Sequence, residues 1–179
     1  MLSPLEDLFK RALGLEDPWQ IIETTFSEEL QELNIYLDFK RGSRFICPKC
    51  KQDGIPCYDT KEKRWRHMNF FQHRTFLHCP APRVECPNCG VKLVDLPWAR
   101  SGSGFTLLFE ALIMTLTREM PVKALSRMIG EHDTRIWRVV QYYVADARTR
   151  EYYVDVNSVG IDETSLKRGH HYVTLFVDL

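Results

Sequence analysis

Hydrophobic positions along the chain change period several times, and each change suggests a different element. Leu5 to Leu13 reads as a short amphipathic helix that ends near Gly14, and a second helix is expected around Ser27–Leu33. Ile35, Leu37 and Phe39 alternate with Tyr36, Asp38 and Lys40, which predicts a strand. Arg41-Gly42-Ser43 then predicts a turn into Phe45-Ile46-Cys47. From Cys47 to about Val94 the pattern is short strands broken by Pro, Gly, Asn and Asp, and Ser101-Gly102-Ser103-Gly104 reads as a linker. Residues 105–150 read as almost wholly helical. The tail from Val154 returns to strand character, through Val159-Gly160-Ile161-Asp162 and Tyr172 to Leu179.

Within the helical stretch, apolar residues at 105, 108, 109, 112, 113 and 116 have the spacing of a helix that buries one face. Met120-Pro121 ends it, and Pro121 suits the first turn of a short second helix, Val122 to Ile129, stopped by Gly130. Asp133 can cap a third helix in which Ile136, Trp137, Val140, Tyr143 and Val144 pack inward. Thr134, Arg135, Arg138 and Gln141 form its polar stripe. Helix, short helix, Gly-bearing turn and helix is the layout of a helix-turn-helix, whose last element enters the major groove. A plain three-helix bundle with a wet face fits the same periodicity.

Composition narrows the class. With 179 residues, 44% hydrophobic and 27% charged, the chain is ordinary globular material, and no apolar run is long enough to span a membrane. The acidic N-terminus is unlike a signal peptide, so a cytoplasmic protein is expected, with cysteines as metal ligands or free thiols rather than disulfides. The net charge of zero conceals an uneven distribution. Residues 1–40 hold three basic and nine acidic side chains, whereas residues 41–100 hold twelve basic and five acidic. The basic segment is also the cysteine-rich one.

Cys47-Pro48-Lys49-Cys50 and Cys86-Pro87-Asn88-Cys89-Gly90 are two C-x-x-C pairs separated by 35 residues. Two such turns facing each other would surround one Zn²⁺ with four sulfurs and leave no open position, which makes the metal structural. The separation is longer than is usual for zinc sites and calls for a long hairpin between the knuckles. Four buried or redox cysteines without metal are the alternative. Cys57 and Cys79 fit no common ligand spacing and are assigned to packing. His67, His73 and His78 are expected to be hydrogen-bonded or phosphate-facing. Arg64 and Arg66, interleaved with Trp65, Phe70, Phe71 and Phe76, suit phosphate neutralisation, or else a solvated basic surface over an aromatic mini-core.

Several motifs recur together in order. They include Leu13-Gly14-Leu15 with Pro18-Trp19, Phe45-Ile46-Cys47-Pro48-Lys49-Cys50, Tyr58-Asp59 and Trp65-Arg66-His67. Pro82-Arg83-Val84, Cys86-Pro87-Asn88-Cys89-Gly90-Val91, Pro97-Trp98-Ala99-Arg100 and Phe105-Thr106 follow. Gly160-Ile161-Asp162-Glu163-Thr164 and Lys167-Arg168-Gly169-His170, running into Tyr172-Val173-Thr174, complete the set. In these the chain resembles the transposases of the ISL3 group of prokaryotic insertion sequences. Cys57 and Cys79 stand outside that resemblance.

The resemblance implies an α+β, multi-module fold. It comprises an N-terminal helical and strand segment (1–40), a zinc-ribbon-like β module (41–100) and a three-helix helix-turn-helix (105–150). The first β-hairpin of an RNase H-like domain (154–179) would follow. It implies double-stranded DNA as partner, recognised at terminal inverted repeats, with a homodimer as one assembly and no membrane. Such catalytic domains use three acidic residues and Mg²⁺, and Asp162 would be the first of the three. Asp178 lies too near on the same hairpin to be the second. The chain is thus expected to be a truncated copy that does not cut DNA alone. The competing expectations are a free-standing zinc-dependent DNA-binding regulator and a protein-interaction module. Arg138 is expected to read bases, and Arg66 to contact phosphate whatever the sequence.

Overall fold

The computed structural model describes residues 4–150, 157–167, 169 and 171–178, with backbone alone at 166, 167, 171 and 178. Val154, His170 and Leu179, drawn into the tail by the sequence reading, lie outside the described residues. The described elements are helix α1 (Pro4–Ala12), strands β1 (Trp19–Ser27), β2 (Glu32–Phe39), β3 (Arg44–Phe45), β4 (Ile55–Phe70), β5 (His73–Cys86) and β6 (Gly90–Leu93), then helices α2 (Leu107–Glu119), α3 (Val122–Ile129) and α4 (Asp133–Arg148), and strands β7 (Val159–Lys167) and β8 (His171–Asp178). The chain divides into two compact units, Met1–Ile136 and Trp137–Leu179.

In the first unit one sheet runs in the order β1-β2-β5-β4-β3, with β6 added to β5. Every pairing is antiparallel except β2 with β5. The segment boundary read at residue 40 is therefore crossed by hydrogen-bonded strands. Apolar side chains of β2 need β5 to be covered: Ile35 pairs with Leu77 in register, and both are buried. The helix expected around Ser27–Leu33 is replaced by the end of β1, a four-residue turn and the start of β2. Strand pairing with β5 outweighs the weak local helical preference of Ser27-Glu28-Glu29-Leu30.

The short strands expected between residues 47 and 94 are in fact two long ones, of 16 and 14 residues, joined at Phe71 and Gln72, and one short strand, the four-residue β6. Their core is aromatic. The Trp19 and Trp65 rings meet Trp98 edge-on at 4.8 and 5.8 Å, and Leu37, Leu77, Cys79 and Ala81 are fully buried beside them. Edge-to-face packing of this kind adds directional preference to area burial.

The linker expected at Ser101–Gly104 is held at several points. The Ser103 hydroxyl donates to Glu110 at 2.5 Å and accepts the Phe105 N–H at 3.0 Å, and the Gly104 carbonyl accepts the Arg66 N–H at 2.9 Å. Thr106 caps α2 by accepting the Phe109 N–H at 3.3 Å. Gly130 ends α3 in the left-handed region at φ 69°, which its missing Cβ permits.

The second unit contains the remainder of α4 and the antiparallel β7–β8 hairpin, in which Asp162 pairs with Leu175. No helix among the described residues is long and apolar enough to cross a membrane.

Candidate metal centre and nucleic-acid interface

The long hairpin brings the two C-x-x-C pairs together. Cys47 and Cys50 lie between β3 and β4, Cys86 ends β5, and Cys89 precedes β6. Because Cys57 pairs with Val84 near the open end of the hairpin, 35 intervening residues fold away as β4, its turn and β5. In each knuckle the residue after the second cysteine is left-handed, Lys51 at φ 61° and Gly90 at φ 68°. The backbone closes both turns, with the Lys51 N–H on the Cys47 carbonyl at 3.0 Å and the Cys89 N–H on the Cys86 carbonyl at 3.2 Å.

The four sulfurs lie within 4.8 Å of one another, and Cys50 Sγ is 3.4 Å from Cys86 Sγ. Zinc–sulfur bonds of about 2.3 Å in a tetrahedron require sulfurs about 3.8 Å apart, so the cluster fits the ion. The Cys50 backbone amide holds the Cys47 thiol down to about 6, while burial raises Cys86 and pushes Cys89 up to about 12. Four thiolates this close repel one another unless a divalent cation sits among them. Among the described residues these cysteines are the only group of three or more His, Cys, Asp or Glu side chains placed to hold a metal. Cys79 is buried in the core with its thiol pushed up by desolvation, and Cys57 Sγ donates to the Asp59 carbonyl at 3.2 Å. Both are packing residues.

The sequence-predicted DNA contacts separate into three groups. Thr134, Arg138 and Gln141 are exposed on α4, while Ile136 and Val139 are buried. At 100° per residue the exposed three fall on one side of the helix and the buried pair on the other. Trp137 and Val144, expected inward, are 49% and 45% exposed, and Val139 packs inward instead. The cap also differs. α4 begins at Asp133, and His132 Nδ1 accepts the Thr134 N–H at 3.3 Å in the capping role expected of Asp133.

Arg66 is not a surface cation. It is 1% exposed, its guanidinium donates to Asn69 Oδ1 and to the His67 and Thr75 carbonyls, and its Nε lies 3.5 Å from Glu131 Oε1. Burial lowers it to about 10, which leaves it charged at neutral pH. Arg66 is thus withdrawn from the phosphate-contact set, because a fully desolvated guanidinium has no face left for DNA. Arg64 and Arg135 are intermediate. Arg64 pairs with Glu32 at 2.8 Å and lies 3.4 Å over the Phe76 ring, with its side chain 47% exposed. Arg135 pairs with Glu131 and lies 4.2 Å over Phe105. Asp162, on β7, is exposed and accepts the Glu163 N–H at 2.8 Å.

Two buried carboxylates escaped the sequence reading. Glu110, on the buried face of α2, pairs with Arg100 at 2.9 Å, and Glu131 is buried in the α3–α4 turn. Glu110 falls outside the stripe expected at 105, 108, 109, 112, 113 and 116: α2 buries Phe109, Glu110 and Ile113, while Leu108, expected inward, is 48% exposed. Nothing local marks Glu131.

Two family models match the chain. The zinc-finger of transposase IS204/IS1001/IS1096/IS1165 matches residues 43–89, and the helix-turn-helix domain of transposase family ISL3 matches residues 94–144. The chain is 32% identical over 186 residues to the transposase for insertion sequence element IS1557 of Mycobacterium tuberculosis, in strains CDC 1551 / Oshkosh and ATCC 25618 / H37Rv. That match covers 96% of this chain and 40% of the relative. It is 27% identical over 149 residues to the transposase for insertion sequence element IS1001 of Bordetella parapertussis, covering 82% of this chain and 36% of that protein. The chain thus spans well under half the length of these curated relatives. No solved structure matches it. Two adjoining domain matches, laid over a four-sulfur cluster and a helix–turn–helix arrangement, place the chain in the ISL3 transposase family.

Proposed function

We propose that this chain binds double-stranded DNA as the recognition segment of an ISL3-family transposase. One structural Zn²⁺ orders the sheet, and α4, as the third helix of a three-helix helix-turn-helix, reads base edges in the major groove. The observation that carries this reading is the two-sided character of α4, with Thr134, Arg138 and Gln141 exposed opposite Ile136 and Val139. Arg pairs bidentately with guanine and Gln with adenine, so Arg138 and Gln141 carry the base preference. Arg64 and Arg135 add outer-edge phosphate contacts at most, since each is already engaged by a carboxylate. The zinc holds no open coordination position and takes no part in chemistry.

In the same reading the β7–β8 hairpin opens an RNase H-like domain, with Asp162 its first metal-binding carboxylate. Mg²⁺ would supply charge neutralisation at the scissile phosphate, and three carboxylates are needed to hold it there. Among the described residues Asp162 has no such partners, so no cleavage step is assigned to this chain. The setting is the cytoplasm of a prokaryotic cell. A homodimer would present two copies of α4 to two half-sites, a point that light scattering with and without DNA decides.

The test is electrophoretic retardation of labelled duplexes carrying the terminal inverted repeats of an insertion sequence, with and without a zinc chelator. Retardation that prefers the repeats, weakens with salt and disappears with the chelator is expected. Retardation showing neither preference nor salt sensitivity overturns the reading.

A further inference from the structure

Arg66 and Glu131 are the least exposed ion pair joining the zinc-bearing sheet to the helices, and both belong to the unit Met1–Ile136. A guanidinium buried on a β-strand needs a counter-charge and acceptors, because a desolvated cation without them is strongly destabilising. Asn69 and two carbonyls of the hairpin supply the acceptors. The counter-charge comes from outside the sheet, from Glu131 in the turn between α3 and α4.

Glu131 is held from three sides. Its N–H donates to the Ser126 carbonyl at 3.2 Å, and its own carbonyl accepts the Ser126 hydroxyl at 2.7 Å, which ties it to α3. One carboxylate oxygen faces Arg66 at 3.5 Å, and the other is paired with Arg135 in the first turn of α4. Arg135 in turn lies over Phe105, with Nη2 3.5 Å from the Gly104 carbonyl, and that carbonyl also accepts the Arg66 N–H at 2.9 Å. The path β4, Glu131, Arg135, Gly104 and back to β4 is closed. A Cβ at Gly104 would lie 3.0 Å from Arg135 Nη2, so a larger residue there would push the end of the Arg135 side chain aside by a few tenths of an ångström.

We propose that Arg66 and Glu131 are positioning residues for DNA reading. Their buried pair fixes the first turn of α4 to strand β4, so that base preference by α4 depends on a folded zinc-bearing sheet. This rests on the DNA-reading function proposed above. Arg135, on the polar stripe by sequence, is the third member of the ring and supports its neighbours rather than reading bases itself. Arg66 acts at no DNA atom.

Two measurements on the full chain test this. In the first, hydrogen exchange of the DNA-free, zinc-loaded protein is followed by mass spectrometry for Glu131→Gln and Arg66→Met. Faster exchange over residues 131–136, with the β4–β5 hairpin still protected and zinc stoichiometry unchanged, is expected. Unchanged exchange over 131–136 in Glu131→Gln overturns the proposal. Glu131→Gln keeps shape and most hydrogen bonds, so it decides the matter if Arg66→Met does not fold.

In the second, a duplex enriched by the wild-type chain from a random-sequence library is compared with its scrambled counterpart. Both variants are expected to lose about tenfold in preference while binding scrambled duplex as the wild type does, and the double variant to lose no more than either single one. Arg66→Lys, which keeps the charge without the planar set of donors, restores part of the preference. Preference retained in both variants overturns the proposal. If the wild-type chain enriches no sequence, the DNA-reading function fails, and the exchange measurement still decides whether the pair fixes α4.

Discussion

The Thr106 hydroxyl serves two neighbours at once, accepting the Phe109 N–H as cap of α2 and lying 2.9 Å from His67 Nδ1. The Thr106 hydroxyl has one proton to give and two lone pairs, so it can serve the cap and His67 together. Burial, reinforced by the Arg66 charge, lowers His67 to about 4. The folded-state value lies below the unfolded value of 6.5, so the unfolded chain takes up a proton that the folded chain refuses. Stability from this group is complete above about pH 6.5 and is lost as the pH falls towards 4, by on the order of 3 kcal/mol. Urea unfolding of the zinc-loaded chain and of His67→Gln across this window should give curves that diverge towards acid, the wild type falling more steeply. Parallel curves would remove His67 from the account. Sulfurs divide just as sharply by position. Cys50→Ser is expected to abolish stoichiometric zinc and with it a contribution on the order of 10 kcal/mol to folding of the ribbon. Cys79→Ala should retain the metal and lose only about 1–2 kcal/mol from a small cavity. Metal analysis beside thermal melts separates the two, and zinc lost equally from both variants would refute the ligand assignment.

At the scale of the element, α4 displays an aromatic side chain that periodicity had turned inward. Trp137 is 49% exposed, whereas Trp19, Trp65 and Trp98 are 6%, 2% and 6% exposed. Stepping 100° per residue places Trp137 beside Thr134, Arg138 and Gln141. It is therefore a built-in reporter of the proposed recognition face. Acrylamide should quench the part of the tryptophan emission that Trp137→Phe removes, and bound duplex should protect it. Quenching that is unchanged by DNA would place the contact elsewhere. Helix ends were legible where a residue type has one conformational use, as at Gly130, and less so where several polar residues compete. Asp133 and His132 are both able to cap α4, and the side-chain geometry of His132 decides it. The segment 27–33 is turn and strand although Leu30 and Leu33 have helical spacing, because Leu33 is placed by partners in register on other strands, Phe26 on β1 and Thr75 on β5.

For the whole molecule, the N-terminal strands are the far side of the zinc-bearing sheet. β2 lies along β5 and covers Leu77, and Trp19 packs on Trp98. Removing residues 1–40 would uncover this core and leave one edge of β5 unpaired, a template for aggregation. The shortened chain is expected to lose cooperative thermal unfolding even with zinc present, as followed by circular dichroism and light scattering. A monomeric, cooperatively melting remainder would show that residues 41–100 stand alone as a module.

Local chemistry determined what could be read early. Four cysteines in two close pairs admit few structures other than a closed metal knuckle, and the glycine at 130 depends only on neighbours a turn away. The helix-turn-helix order followed from such short-range patterns, and the α+β class from the family resemblance that the motifs carry. The tertiary structure decided the partners of residues whose chemistry is ambiguous. Arg66 is basic in the sequence whether it faces phosphate or a buried carboxylate, and only the packing of the α3–α4 turn against β4 supplies Glu131. Long-range pairing also made one sheet from segments that composition had divided at residue 40, because strand edges and apolar faces are satisfied by whatever distant strand the fold brings alongside.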